Sequence, residues 1–442
     1  MPASDQRGEA ARADAESLRL HARYRGKVQT MPKCPVNGLD DFNVWYSPGV
    51  AAPCREIRSN ADAVYSYTNK GNCIAVVSDG SRVLGLGDIG PAAGLPVMEG
   101  KALLFKYLGG VDAVPLCLSV SDPESLIAVV RALEPSFGGI NLEDIAQPKC
   151  FRILGALRDS MNIPVWHDDQ QGSAAVAVAG LLNALRVVGK ERGRVRIALI
   201  GMGAANFATY RLLKAVGVDP GSIVACDSTG ILHRGRADIE ARQVELDHKW
   251  RVCCETNADG IVGGIAETMR GADVCIAFTR SGPGIIAPEW VKAMAADAIV
   301  FASANPVPEI WPQDATNAGA AIVATGRGDF PNQVNNALVF PGIFRGVLDV
   351  RARAISDEMA IAAALELAGC VDENRLGRDH ILPPLNDPMV APRVAVATAM
   401  KAQEQGFARI TLTRAALLVS ASATIRAARQ ATETLMNAEL IS

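Results

Sequence analysis

Several features are missing from this 442-residue sequence, and each absence narrows what it does. Net charge is small, since 44 Lys and Arg against 47 Asp and Glu leave a formal balance of -3. No electrostatic footprint therefore favours nucleic acid or an anionic membrane surface, and small-molecule chemistry is the better expectation. No uninterrupted apolar run reaches the roughly 18 residues of a spanning helix. The nearest approach, residues 174–185, is broken by Gly180 and Asn183. The opening MPASDQRGEAARADAESLRL mixes acids with arginines and has no apolar core of the secretory kind, so no export and a cytoplasmic location are expected. Ten cysteines lack paired metal-ligand spacing, and Cys253 and Cys254 are adjacent. Neither a disulfide framework nor a zinc site follows from that pattern, which leaves reduced thiols. Internal repeats and low-complexity tracts are also absent.

What is present is an ordinary globular composition, 49% hydrophobic, long enough for roughly two or three domains. After Gly71 short β-branched runs alternate with longer helical patterns, the mark of parallel sheets covered by helices. In a first block, residues 74–77 and 114–118 read as strands. Between them residues 99–108 read as a helix stopped by Gly109 and Gly110, and Ser121, Asp122 and Pro123 open another helix. A second block has a small-residue helix at 172–188, then strands at 195–200, 223–226, 274–278, 298–301 and 321–324. The fold class is therefore α/β: an N-terminal α/β domain over residues 1–165, a Rossmann-like doubly wound parallel sheet over 166–386, and an alanine-rich helical tail over 387–442. The tail is expected to pack back on the body or on a partner subunit.

The strand at 195–200 runs into Gly201, Met202, Gly203, Ala204, Ala205 and Asn206. Two glycines let backbone approach a pyrophosphate, and a helix N-terminus supplies free N–H donors with partial positive charge. Asn206 stands where a third glycine is usual, so a plain tight turn competes. Asp227 ends the next strand, where a carboxylate accepts hydrogen bonds from an adenosine ribose, which leans toward NAD. Arg234 and Arg236 are close enough in sequence to accommodate a ribose phosphate, so NADP stays open.

Residues 138–142 form a strand-like run ending in Glu143 and Asp144, and residues 163–167 form another ending in Asp168 and Asp169. Four carboxylates at the ends of neighbouring strands repel unless a cation sits among them, and oxygen ligands suit Mg2+ or Mn2+. A solvated helix start explains either pair alone. His167, beside these acids, reads as a hydrogen-bonded structural partner rather than a ligand. Lys101 reads as the beginning of a helix, where the dipole and a nearby metal disfavour the ammonium and make it a base; a solvated lysine is the competing explanation. Tyr46 stands in an irregular segment able to present a phenol to a cleft, or to pack half-buried.

These segments resemble the malic enzymes, specifically the short bacterial-type form, over about residues 27–351. The matching motifs are YSPGVA at 46–51, SDGSRVLGLGDIGPAAGLPVMEGKALLFK at 78–106, NLEDI at 141–145, WHDDQQGSAAV at 166–176, SANPVPEI at 303–310 and GRGDFPNQVNNALVFPGIFRG at 326–346. The resemblance implies oxidative decarboxylation of malate to pyruvate with NAD or NADP and a divalent metal. It implies that Glu143, Asp144 and Asp169 hold the metal, that Asp168 supports Lys101 as general base, and that Tyr46 is the general acid. Arg82 matches the position that grips a substrate carboxylate, while Asn305 and Asn336 complete substrate and nicotinamide contacts. Gln171 replaces a more usual histidine, and Asn206 a small residue. Family members usually pair, and the N-terminal helix over about 9–23 is a candidate for the contact. Longer members carry an added acyltransferase-like domain, so regulation through such a block is not expected here.

Three other readings remain at this point. The same chemistry serves tartrate, or takes malate to lactate without releasing reduced cofactor. An amino-acid dehydrogenase shares the two-domain plan but needs no metal, which the paired acids disfavour. A catalytically silent binding protein would not need the lysine, tyrosine and acids together.

Overall fold

A computed structural model describes residues 3–120 and 122–441, the first nine of these by backbone alone. Ser121, expected to open a helix, lies outside them; Asp122 does cap that helix, Pro123–Ala132, accepting from the Ser125 N–H at 2.8 Å.

Two parallel sheets organise the chain. The first holds β1 (Cys73–Ser78), β2 (Asp112–Cys117), β3 (Gly139–Leu142) and β4 (Val165–His167) in the order β2-β1-β3-β4. β1, β3 and β4 are buried along their whole length, as strands covered on both faces must be, which is why they read as continuous apolar runs. Leu142 pairs with His167, so the Glu143–Asp144 and Asp168–Asp169 pairs emerge side by side from neighbouring strands. β4 straddles the expected division at 165/166, and all three of its residues belong to the first sheet.

The second sheet contains β5 (Ile197–Ile200), β6 (Ile223–Asp227), β7 (Gly230–Ile231), β8 (Val274–Ala277), β9 (Ile299–Ala302) and β10 (Ile322–Thr325), ordered β10-β9-β8-β5-β6-β7. Only the short edge strand β7 runs antiparallel. The chain moves from β5 to one side and then returns to the other, so the switch point, where α/β sheets bind ligands, lies between β5 and β8.

The helix carrying Lys101 spans Gly90–Gly109, not 99–108. Pro91 at its first turn needs no N–H there, and Gly110 closes it in the left-handed conformation at φ 63°. Lys101 thus sits mid-helix rather than at a helix start, and the dipole argument for its deprotonation does not apply. A π-helical turn, Asp168–Gly172, leads from β4 into the helix Ser173–Val188. By length and composition Asp168–Val188 is apolar enough to cross a membrane, yet 72% of its apolar window is buried inside the protein. The tail forms helices Val390–Glu404 and Arg414–Asn437; the first packs on Phe340–Asp349 and Asp357–Ala368, and the second on Gly90–Gly109. The N-terminal helix runs Ala3–Tyr24.

Candidate active site

Lys101 is 8% exposed, and its Nζ lies 2.6 Å from Asp168 Oδ2 and 2.8 Å from Glu143 Oε1. The second oxygen of Asp168 accepts from the Trp166 indole at 3.0 Å, and Glu143 accepts from the Asn141 amide at 2.8 Å. The ammonium also stands 4.2 Å from the centre of the Phe340 ring, a favourable cation–π placement. Burial opposes the charged form of Lys101, but the charges of Asp168 and Glu143 outweigh it and hold the amine well above its usual value. The two carboxylates favour the ammonium form, opposite in direction to the helix-start argument made from sequence. Trp166, Asn141 and Phe340 carry no signature of chemistry in their own patterns; only the fold brings them under the lysine.

The acidic groups bear the electrostatic cost. Burial, then the charge of Asp169, pushes the Asp144 carboxyl up to about 8. Glu143 is raised by burial and by Asp169, Asp168 and Asp144, against the pull of Lys101. Asp169 accepts the Asp144 N–H at 2.8 Å, and buried Oδ2 of Asp144 has no hydrogen-bond partner. Three adjacent carboxylates, two of them raised by burial and by their mutual repulsion, are the donor set a hard divalent cation takes. Among the described residues, however, no three such side chains are gathered at ligating geometry: Glu143 is turned to Lys101 and Asp169 to a backbone amide. His167 is fully buried, neither ring nitrogen has a hydrogen-bond partner, and burial lowers its pKa. Its Nδ1 stands 3.6 Å from Asp169 Oδ2, so it is a packed ring beside the acids rather than the hydrogen-bonded partner expected from sequence. Gln171 Oε1 accepts the His167 N–H at 3.0 Å, bracing the turn between β4 and the following helix.

The dinucleotide turn has the backbone its sequence requires. Gly201 adopts φ +84°, and a β-carbon there would lie 2.6 Å from the Phe278 carbonyl oxygen. Gly203 faces open space, with nothing nearer to a β-carbon than 3.9 Å, and caps the helix Ala204–Ala215. Gly203, Ala204 and Ala205 therefore offer the open helix start that suits a pyrophosphate. Asn206 points the other way: fully buried, it donates to the carbonyls of Ile200 at 2.9 Å and Gly201 at 2.7 Å, holding the turn from beneath. Asp227 ends β6 as expected but is already engaged, by Lys249 at 2.7 Å and Arg236 at 3.2 Å. Arg236 is buried and also clasps Asp238 at 2.7 Å, while exposed Arg234 donates to the Cys254 carbonyl at 3.1 Å.

A cavity of about 160 Å³ opens at the ends of β8, β9 and β10, lined by Ser173, Phe278, Ser303, Asn305, Asn335 and Asn336 among others. Asn305 and Asn336 thus meet in one place. Gly326 admits the Asn305 side chain, since a β-carbon would stand 2.6 Å from its Nδ2. From the first sheet, the loop after β1 reaches across: a β-carbon on Gly85 would be 3.0 Å from the Asn305 carbonyl oxygen. Two predicted residues stand at the surface. Arg82 is exposed and its guanidinium folds onto the Leu84 carbonyl, while its backbone N–H donates to the Asp144 carbonyl at 3.1 Å, which sets it at the edge of the acidic cluster. Tyr46 is 71% exposed, on a stretch (Leu39–Asp41, Phe42–Trp45, Ala51–Ser59) whose helices bury no residue, so it does not line the buried lysine cluster of its own chain.

Residues 25–158 match the family model of the malic enzyme N-terminal domain, and residues 170–403 that of the malic enzyme NAD-binding domain. The chain belongs to the malic enzyme family. It is 50% identical over 397 residues to the bifunctional malic/malolactic enzyme of Bacillus subtilis, covering 90% of this chain and 95% of that one. It is 47% identical to the NAD-dependent malic enzyme of Geobacillus stearothermophilus, over 87% of this chain and 78% of that one. The malic enzyme of Entamoeba histolytica superposes with a TM-score of 0.95 at 47% identity, covering all of this chain and 92% of its own. In this malic enzyme family member Lys101 and Glu143 belong to the first matched domain, Asp168 falls between the two, and Phe340 and the glycine turn belong to the second; the cavity lies among loops of the second, where the Gly85 loop of the first reaches it.

Proposed function

We propose that this chain oxidises and decarboxylates malate to pyruvate and CO2, reducing NAD or NADP, with Mg2+ or Mn2+ held by Glu143, Asp144 and Asp169. The observation that carries the reading is the buried Lys101, clamped between Asp168 and Glu143. When bound, the nicotinamide accepts hydride and the cation polarises the carbonyl that forms. Lys101 takes the proton of the malate hydroxyl at Nζ, and Asp168 keeps that nitrogen in place. With a cation held by Glu143, Asp144 and Asp169, the negative charge that favours the ammonium of Lys101 would be offset, and the amine would be brought toward a base. Asn305 and Asn336 orient substrate and nicotinamide at the cavity, and Arg82 pairs with a substrate carboxylate. Tyr46 returns a proton to carbon after CO2 leaves. Its exposure supports delivery to the site of a second copy in a homodimer.

Both NAD and NADP remain within the proposal, because Asp227 is matched by two cations rather than free. A second reading, malate to lactate without net release of reduced cofactor, is favoured by the likeness to an enzyme named for both activities. A malate assay with NAD and NADP in parallel, with and without Mn2+, scored for NAD(P)H, pyruvate and lactate, separates them. Reduced nucleotide with pyruvate is expected; activity that survives EDTA would overturn the metal assignment.

A further inference from the structure

Glu309 is a fully buried carboxylate that the reaction above does not use. Its Oε1 accepts the Thr279 N–H at 2.8 Å and the Thr279 hydroxyl at 3.0 Å, and its Oε2 accepts the Ala304 N–H at 3.0 Å. Its own carbonyl oxygen accepts the N–H groups of Gly284 at 3.1 Å and Ile286 at 3.2 Å. One residue thereby joins the loop after β8 to the loop after β9. Both loops face the cavity: Phe278 precedes Thr279, and Ser303 and Asn305 flank Ala304. Thr279 also leans on the glycine turn, its Cγ2 lying 2.9 Å from where a β-carbon of Gly201 would be. Burial raises the carboxyl's pKa, and the N–H bonds from Ala304 and Thr279 pull it back down. A side chain this costly to bury is retained only when its acceptors are filled.

We propose that Glu309 is the positioning residue of the nucleotide site, fixing the glycine turn, Phe278 and Asn305 relative to one another so that the nicotinamide ring is held for hydride transfer. The proposal rests on the nucleotide reading above but not on malate as substrate. Glu309→Gln is its sharpest probe. The amide keeps one oxygen for Thr279 and sets an NH2 group against the Ala304 N–H, donor facing donor. The loop bearing Asn305 then loses its anchor while volume stays constant.

The test is direct titration of NADH and NADPH by fluorescence in the absence of malate and metal, with kcat and thermal unfolding measured beside it. Glu309→Gln is expected to weaken nucleotide binding at least about tenfold and to lower kcat. Thr279→Val is expected to weaken binding by about threefold, and Thr279→Ser, which keeps the hydroxyl, to restore it. A folded Glu309→Gln protein that binds nucleotide within about twofold of wild type overturns the proposal. So does a Thr279→Val protein indistinguishable from Thr279→Ser, which decides the matter should Glu309→Gln fail to fold. A fall in melting temperature with unchanged nucleotide affinity also overturns it, because it marks a purely structural residue. Wild-type protein that binds NADH yet leaves malate untouched refutes the malate reading alone.

Discussion

Gly172 lies so close to Asp168 that a β-carbon on the glycine would stand 1.9 Å from the carboxylate Oδ1. The π-helical turn folds the aspartate back over its own chain, and only a bare backbone leaves room for it. Gly172→Ala is expected to displace the carboxylate from Lys101 and Trp166. A shift of that size costs about a hundredfold in kcat with nucleotide affinity preserved; kinetics beside NADH titration would show it, and normal turnover would mean that Asp168 has no part in holding the lysine.

Lys101→Ala and Tyr46→Phe should each lose about a hundredfold or more in turnover, the usual worth of a proton transfer, while NADH affinity stays near wild type. Steady-state kinetics with a parallel binding titration checks each. Either variant retaining near-normal kcat removes that residue from the mechanism.

Mixing these two inactive variants tests where Tyr46 works. If the tyrosine crosses to the partner, a mixed dimer pairs an intact lysine with an intact tyrosine at one of its two sites. Random exchange of subunits then returns about a quarter of wild-type activity. No recovery after demonstrated exchange means that each chain uses its own tyrosine.

The raised carboxyls make stability pH-dependent in a stated direction. Asp144 moves from 3.8 unfolded to about 8 folded, so the folded state binds the extra proton between those values. Its stability contribution is full below about 3.8 and is lost as pH rises toward 8. Mn2+ or Mg2+, which binds the ionised form, is expected to raise the melting temperature more at pH 8 than at pH 6. Asp144→Asn should flatten the metal-free trend and abolish the metal response. An equal shift at both pH values would argue against these carboxylates as the ligands.

The strands and the meeting of the acidic pairs are legible, because strands buried on both faces read as apolar runs and polar residues at their ends stand out; the order of the strands in each sheet is not. The helix bearing Lys101 was misjudged at its start. Gly90, Pro91, Gly94 and Pro96 look like a loop, while in the fold they open a helix that packs against β1, β2 and the helices Phe340–Asp349 and Arg414–Asn437. The clamp on the lysine is equally hidden, since Asp168 is 67 residues away in sequence and no local pattern couples the two. Asp227 shows the same limit: its position at the end of β6 follows from spacing, but Lys249 and Arg236 reach it through the fold. Glu309 left no signal of its own, because an isolated acid in a proline-containing loop reads as solvated until its burial is known.

The approach of Gly85 to Asn305 sets the character of the seam between the two sheets. Neutral backbone meets neutral backbone there, and such dispersion contacts are worth only about 0.1 to 0.2 kcal/mol per atom pair. A side chain at position 85 would press at once on the Asn305 carbonyl, Pro306 and Ser281, so the fit of these two loops depends on that position staying bare.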